Sequence, residues 1–260
     1  MVIGCQFSGA ARSDHGTTMT TSNADEYKVF VGSTHCQQRL RGNHMPLSGK
    51  GMLITSMNID EIHEDEFNLW YDREHLAERV AIDGFLEARR WVAEDADPKY
   101  FATYSTAAFE DLSSPAYVTA LANQTQWSKE NLARFKNMIR VVGRITDSQG
   151  QGRGAILGVV RLRPKEAASQ SREALKAAMA PGDQLHIISM HLIESDPELS
   201  KSLTEPDKPN PGAGDWFVLI EATTRSAVVV LMETRFKTLG IHVISMGTYR
   251  LLWDLAKSDL

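Results

Sequence analysis

From Gly51 onward the apolar and polar positions keep a regular rhythm. Met52-Leu-Ile-Thr-Ser-Met57 reads as a strand, and the run from Glu64 to Ala81 carries helical periodicity closed by Asp83-Gly84. Phe85 to Ala93 and Tyr100 to Ser105 read as two strands, with Asp95-Ala-Asp-Pro98 as the hairpin turn between them. Ser113-Ser114-Pro115 supplies an N-cap and a first-turn proline for a second helix. That helix breaks near Asn123-Gln-Thr125 and resumes at Trp127, and Met138 to Ile145 closes the set as a fourth strand.

After a polar, glycine-rich stretch, Thr146 to Gly154, which reads as a linker, the order repeats. Ala155 to Leu162 is a strand, Ser171 to Met179 a helix, Leu185 to Ile193 and Trp216 to Glu221 strands, Ser226 to Leu239 a helix and Ile241 to Leu251 a strand. Each half has the order β-α-β-β-α-β, a split unit that covers one sheet face with helices and leaves the other bare. A bare apolar face needs a cover, and a second unit in the same chain provides one. The expected fold class is therefore α+β: two tandem ferredoxin-like β-α-β-β-α-β units, residues 51–146 and 155–255, forming a pseudo-dimeric α/β barrel. Residues 1–50 read as a poorly ordered N-terminal extension, with a short docked strand at Tyr27 to Val31 as the alternative. The stretch from Glu194 to Asp215 is dense in Pro, Asp, Ser and Gly and reads as disorder rather than a lid.

Composition narrows the function. Apolar residues make up 42% and charged residues 23% of the 260, the balance of an ordinary globular protein. The net charge of −5 is spread along the chain, which argues against nucleic acid or an anionic membrane as partner. No apolar run approaches the ~20 residues of a membrane span, and the N-terminus makes a poor secretory signal. The two cysteines, Cys5 and Cys36, form no disulfide framework, so the expected location is cytoplasmic.

The candidate chemistry is concentrated in Asn68-Leu-Trp-Tyr-Asp-Arg-Glu-His75. On a straight helix Phe67, Tyr71, Glu74, His75 and Glu78 share one broad sector, while Leu69, Leu76 and Val80 form a second apolar stripe opposite. Ionisable groups among buried aromatics need partners or a wet cavity, so the first stripe is the expected ligand site. His75 titrates near neutral pH and can act as acid or base, Glu74 or Glu78 can fix its tautomer, and Tyr71 can donate to a substrate oxygen. The structural alternative is equally concrete: the same residues knit the helix to its sheet. No dinucleotide fingerprint, Walker loop, nucleophile elbow or zinc cysteine pair is present, and His186, His191 and His242 lack metal-ligand spacing.

Phe67-Asn-Leu-Trp-Tyr-Asp-Arg-Glu-His-Leu-Ala-Glu-Arg-Val80, followed by Gly84-Phe85 and Arg89-Arg90, resembles the dimeric α/β-barrel superfamily, and within it the EthD-like proteins and their bacterial relatives. Those proteins carry a tyrosine four residues before a histidine at the end of the first helix, matched by Tyr71 and His75. Relatives often have a proline two residues after the histidine, where this chain has Ala77; the second half has no counterpart of the stripe, so one site is expected and not two. The resemblance implies a cofactor-independent isomerase, cyclase or monooxygenase acting on a small hydrophobic or aromatic carbonyl compound. Some barrel relatives hold haem through one histidine, but no motif here asks for cofactor or metal. The expected catalytic residues are His75, Tyr71 and Glu74, and the substrate-binding residues Trp70, Glu78, Arg90, Tyr104 and Trp127. The competing expectation is a non-catalytic binding or assembly protein, and the oligomeric state is expected to be a monomeric pseudo-dimer or a homodimer.

Overall fold

The computed structural model describes residues 47–164, 168–180, 182, 184–201 and 210–260. Tyr27 to Val31 and nearly all of the expected extension lie outside the described residues. Leu47 is buried, and Lys50 bridges two strands, its N–H donating to Thr106 O at 2.9 Å and its carbonyl accepting from Ile145 N at 2.9 Å.

Eight strands form a closed antiparallel barrel. They are β1 (Gly51–Asn58), β2 (Phe85–Asp95), β3 (Tyr100–Thr106), β4 (Lys136–Gly150), β5 (Ile156–Arg163), β6 (Ile187–Ser195), β7 (Trp216–Ala222) and β8 (His242–Ala256), in the spatial order β1-β3-β2-β8-β5-β7-β6-β4. The helices are α1 (Glu64–Trp70), α2 (Leu76–Ala81), α3 (Pro115–Ala122), α4 (Gln126–Ala133), α5 (Ala168–Met179) and α6 (Arg225–Leu231). β4, β1, β3 and β2 are neighbours in the first half, and β8, β5, β7 and β6 in the second. The halves join edge to edge, β2 to β8 and β4 to β6.

Period-two alternation sorts the strands into three layers. Met52, Ile54, Trp91, Phe101, Val141, Leu157, Leu219 and Tyr249 fill the barrel interior. Leu53, Met57, Ala88, Tyr104 and Val142 face the helices of the first half, and Val160, Leu192, Val218 and Ile220 those of the second. With both faces covered, β1, β3 and β7 are apolar on both sides, which is why their sequences alternate poorly.

Two expectations need correction. The stretch from Thr146 is not a linker throughout: β4 continues to Gly150, pairing Ser148 with His191 and Gly150 with Ser189 to close the barrel. The described parts of the Glu194–Asp215 stretch are docked. β6 covers β4 only from Gly143 onward, and the earlier edge of β4 is satisfied by this segment. Asp196 N donates to Val142 O at 2.8 Å, Ser200 Oγ accepts from Val142 N at 2.9 Å, and the Asn210 amide donates to Arg140 O. Docking runs through backbone polar groups, so the lack of apolar residues does not forbid it.

The adjacent arginines of β2 point to opposite layers. Arg89 enters the barrel, donates to Glu221 of β7 and to Gly154 O at 2.9 Å, and lies 2.9 Å from Asp254 of β8. Side chains of Arg89 and Glu221 are 2% and 3% exposed, so neither charge has water to fall back on. Removing one member of such a pair leaves the other uncompensated. Arg89→Leu is expected to cost about 3–5 kcal/mol in urea denaturation, with Arg89→Leu/Glu221→Leu recovering most of that loss. Additive losses in the double variant would contradict the pairing.

Candidate functional site

The helix after β1 is not a single α-helix. A 3-10 turn (Glu61–His63) and α1 lead into one π turn, Tyr71–His75, before α2. A π turn holds one residue more than an α turn, so every downstream side chain lags on the cylinder. Leu76, Arg79 and Val80 thereby join Phe67, Trp70, Tyr71 and His75 on the buried face, while Leu69 is 54% exposed. The expected second stripe opposite does not form; Glu74 and Glu78 lie at the flank, only partly buried.

His75 sits in an aromatic enclosure. Its ring centroid is 4.4 Å from Trp70, 5.0 Å from Tyr71 and 6.2 Å from Tyr104, which meets it edge-on. The residue is 8% exposed, and its Nδ1 is buried without a hydrogen-bond partner. Burial, then the charges of Arg79 and Arg90, hold its pKa well below the usual histidine range, so the ring is neutral at physiological pH. The Tyr71 hydroxyl lies 3.0 Å from that of Tyr104 and 3.4 Å from Thr55 Oγ1. Burial, with Tyr71 beside it, raises the Tyr104 hydroxyl well above its ordinary value, so it stays a protonated donor. The arrangement thus packs an imidazole with an unbonded Nδ1 against the rings of two tyrosines whose hydroxyls bond each other.

Other expected site residues are engaged elsewhere. Glu74 does not fix His75: its Oε1 accepts from Thr125 Oγ1 at 2.6 Å and Ser128 Oγ at 3.2 Å. Ser128 Oγ in turn accepts from Trp70 Nε1 at 3.1 Å, so Glu74 and Trp70 together tie the helix to the start of α4. Thr125 is also the α4 N-cap, accepting from Ser128 N at 3.0 Å, which explains the break seen in the sequence. Glu78 makes no bond to His75, and its carboxyl is pushed up by burial and by Glu74. Arg90 is buried, spans Asp72 and Asn68, and packs 4.6 Å from the Tyr71 ring centroid. It braces the π turn against β2 rather than offering a free cation. Trp127 is partly buried against the same cluster.

Sequence reasoning missed Arg79, which falls at the margin of the Phe67–His75 sector on a straight helix; the register shift of the π turn, which leaves no local sequence signal, turns it further inward. It also missed the barrel-interior cluster around His191. His191 Nδ1 bonds Ser148 Oγ at 2.9 Å and Nε2 bonds Ser189 Oγ at 3.1 Å. A haem does not fit His191, which spends both nitrogens on serines. Among the described residues no cluster of three His, Cys, Asp or Glu could hold a metal ion, and no helix is long and apolar enough to cross a membrane.

No family model matches the chain, and no curated protein matches it by sequence. Among solved structures it is similar to an anthrone oxidase-like protein, at 9% identity over 83% of this chain and 97% of that one, with a TM-score of 0.57. It is also similar to an assigned chlorite dismutase, at 12% identity over 80% of this chain and 96% of the other, with a TM-score of 0.50. An assigned monooxygenase from Lactobacillus acidophilus aligns at 11% identity over 81% and 97% of the two chains, with a TM-score of 0.49. The first two are likenesses of fold, and the closed eight-stranded antiparallel barrel is consistent with a dimeric α/β barrel.

Burial holds the His191 pKa down to about 3, helped by Arg89 and Arg153. The unfolded chain therefore takes up this proton near pH 6.5 and the folded chain does not, so stability is full above that pH and falls as pH drops towards 3. His191→Asn is expected to flatten the fall in urea-derived stability between pH 6.5 and 5, by up to about 1.4 kcal/mol per pH unit. An unchanged slope would show that His191 protonates in place.

Proposed function

We propose that the chain is a small-molecule enzyme in which His75 moves a proton on a hydrophobic aromatic carbonyl compound without a cofactor. The observation that carries this reading is the buried, unbonded Nδ1 of a neutral His75 whose ring packs against those of Tyr71 and Tyr104. Core histidines ordinarily spend both nitrogens on partners, as His191 does. An unbonded ring nitrogen at this position supports a role for a group from outside the chain.

The chemistry that fits is enolisation of an aromatic ketone such as anthrone, the compound named in one structural neighbour. The C–H bond beside the ring system breaks and its proton passes to His75 Nδ1. The electron pair shifts to the carbonyl oxygen, which accepts hydrogen bonds from the tyrosine hydroxyls. Trp70 and Phe67 supply flat apolar walls. The same reading takes the halves as tandem ferredoxin-like units of EthD-like type, supported by their shared strand order, with the site in the first half alone. Edge pairing leaves neither half an open sheet edge for a second subunit, so a monomer is expected.

A second reading, that the stripe only anchors the helix, is favoured by the engagement of Glu74 with Thr125 and Ser128 and of Arg90 with Asp72. Deuterium wash-in at C10 of anthrone, followed by NMR, separates the two. The wild-type protein is expected to accelerate exchange over buffer, and His75→Asn to lower that rate by about 10²-fold or more at unchanged melting temperature. Because the pKa of His75 lies well below 6.5, the rate is expected to hold steady from pH 8 to 6.5 and fall only under more acid conditions. Loss of stability with no effect on exchange would favour the anchoring role.

A further inference from the structure

The buried arginines of the chain are not alike. Arg89 is matched by Glu221 and Asp254, and Arg90 by Asp72. Arg79 is only 4% exposed, yet among the described residues it makes no hydrogen bond and no ion pair. A guanidinium cannot shed its charge to ease burial, as a lysine or histidine does. Keeping one so nearly buried without a bonded partner is unfavourable: Glu74 is committed to Thr125 and Ser128, and Glu78, at the partly buried flank, feels the Arg79 charge without bonding to it.

Its position is informative. Arg79 follows His75 by four residues on the face that the π turn directs at the sheet, so the two side chains are stacked one turn apart. Both residues are buried on that face, Arg79 at 4% and His75 at 8% exposed. Arginine's planar fork suits the two oxygens of a carboxylate.

We propose that Arg79 is the anion-recognition residue of the His75 site and that the molecule bound there is an aromatic carboxylate. This rests on His75 marking a ligand site and adds the charge class of the ligand. The carboxylate pairs with Arg79 while the ring system lies against Trp70 and Phe67, which orients the reacting carbon towards His75.

The test compares two fluorescent probes of one shape, 9-anthracenecarboxylate and the uncharged 9-anthracenemethanol, titrated against the full chain. Wild type is expected to bind the carboxylate about tenfold or more tighter than the alcohol. Arg79→Gln is expected to abolish that preference while still binding the alcohol, and Arg79→Lys to retain part of it. Melting temperatures of each variant separate loss of recognition from loss of fold. Equal binding of the two probes by wild type, or a preference that survives in Arg79→Gln, overturns the assignment and leaves the His75 reading standing. Failure of the folded wild type to bind either probe overturns both.

Discussion

Closure of the sheet is the constraint on which the rest depends. Each half of the chain builds four strands with two exposed edges and one uncovered face. Neither is a stable end point, since unpaired edges template association and bare apolar faces seek a cover. Pairing β2 with β8 and β4 with β6 removes both problems at once, and the interior fills with side chains from every strand. The buried Arg89–Glu221 pair then fixes the halves laterally, because each charge is tolerable only where the other half supplies its partner. The one stretch of β4 edge beyond the reach of β6 is closed by the polar segment around Ser200 and Asn210.

A rigid barrel lets the helix above β1 carry a local irregularity. The π turn at Tyr71–His75 widens the buried face by one residue, so that a histidine and an arginine enter a layer otherwise made of aromatics and aliphatics. Arg90, reaching up from β2 to Asn68 and Asp72, holds that turn in place, and Glu74 with Ser128 and Trp70 holds its other side against α4. Those bracing groups are bonded, whereas His75 Nδ1 is buried without a partner and Arg79 has none among the described residues. Distribution of satisfied and unsatisfied groups, more than the identity of any single residue, separates a site from a well-packed core. The second half repeats the strand order, but its first helix, α5, is a regular α-helix facing Leu175 and Met179 inward, with no comparable chemistry.

Much of this was legible in the sequence. Strand alternation, the Ser114-Pro115 start and the Thr125 break are local signals, and they put nearly every element where the structure has it. The barrel follows from two bare faces in one chain. What local patterns could not carry were long-range pairings and register shifts. The continuation of β4 through Thr146 to Gly150 is written in the partner strand β6, not in its own polar residues. The docked Ser200 region binds by backbone hydrogen bonds, to which hydropathy is blind. Phe67, Tyr71 and His75 were readable as one group because they stay on one face through the π turn. Arg79 was not, because on a straight helix it falls at the margin of that sector, and Glu74 was drawn towards His75 only by the same straight-helix assumption.

The central claim is that His75 is a neutral imidazole with a free nitrogen waiting for a ligand. Nitrogen-15 NMR of the labelled imidazole, assigned by comparison with His75→Asn, tests it most directly. The account predicts that His75 stays neutral from pH 8 to 6 and that its Nδ1 resonance moves when 9-anthracenecarboxylate or anthrone saturates the protein. An ordinary titration centred near 6.5, or a resonance indifferent to both compounds, would contradict it.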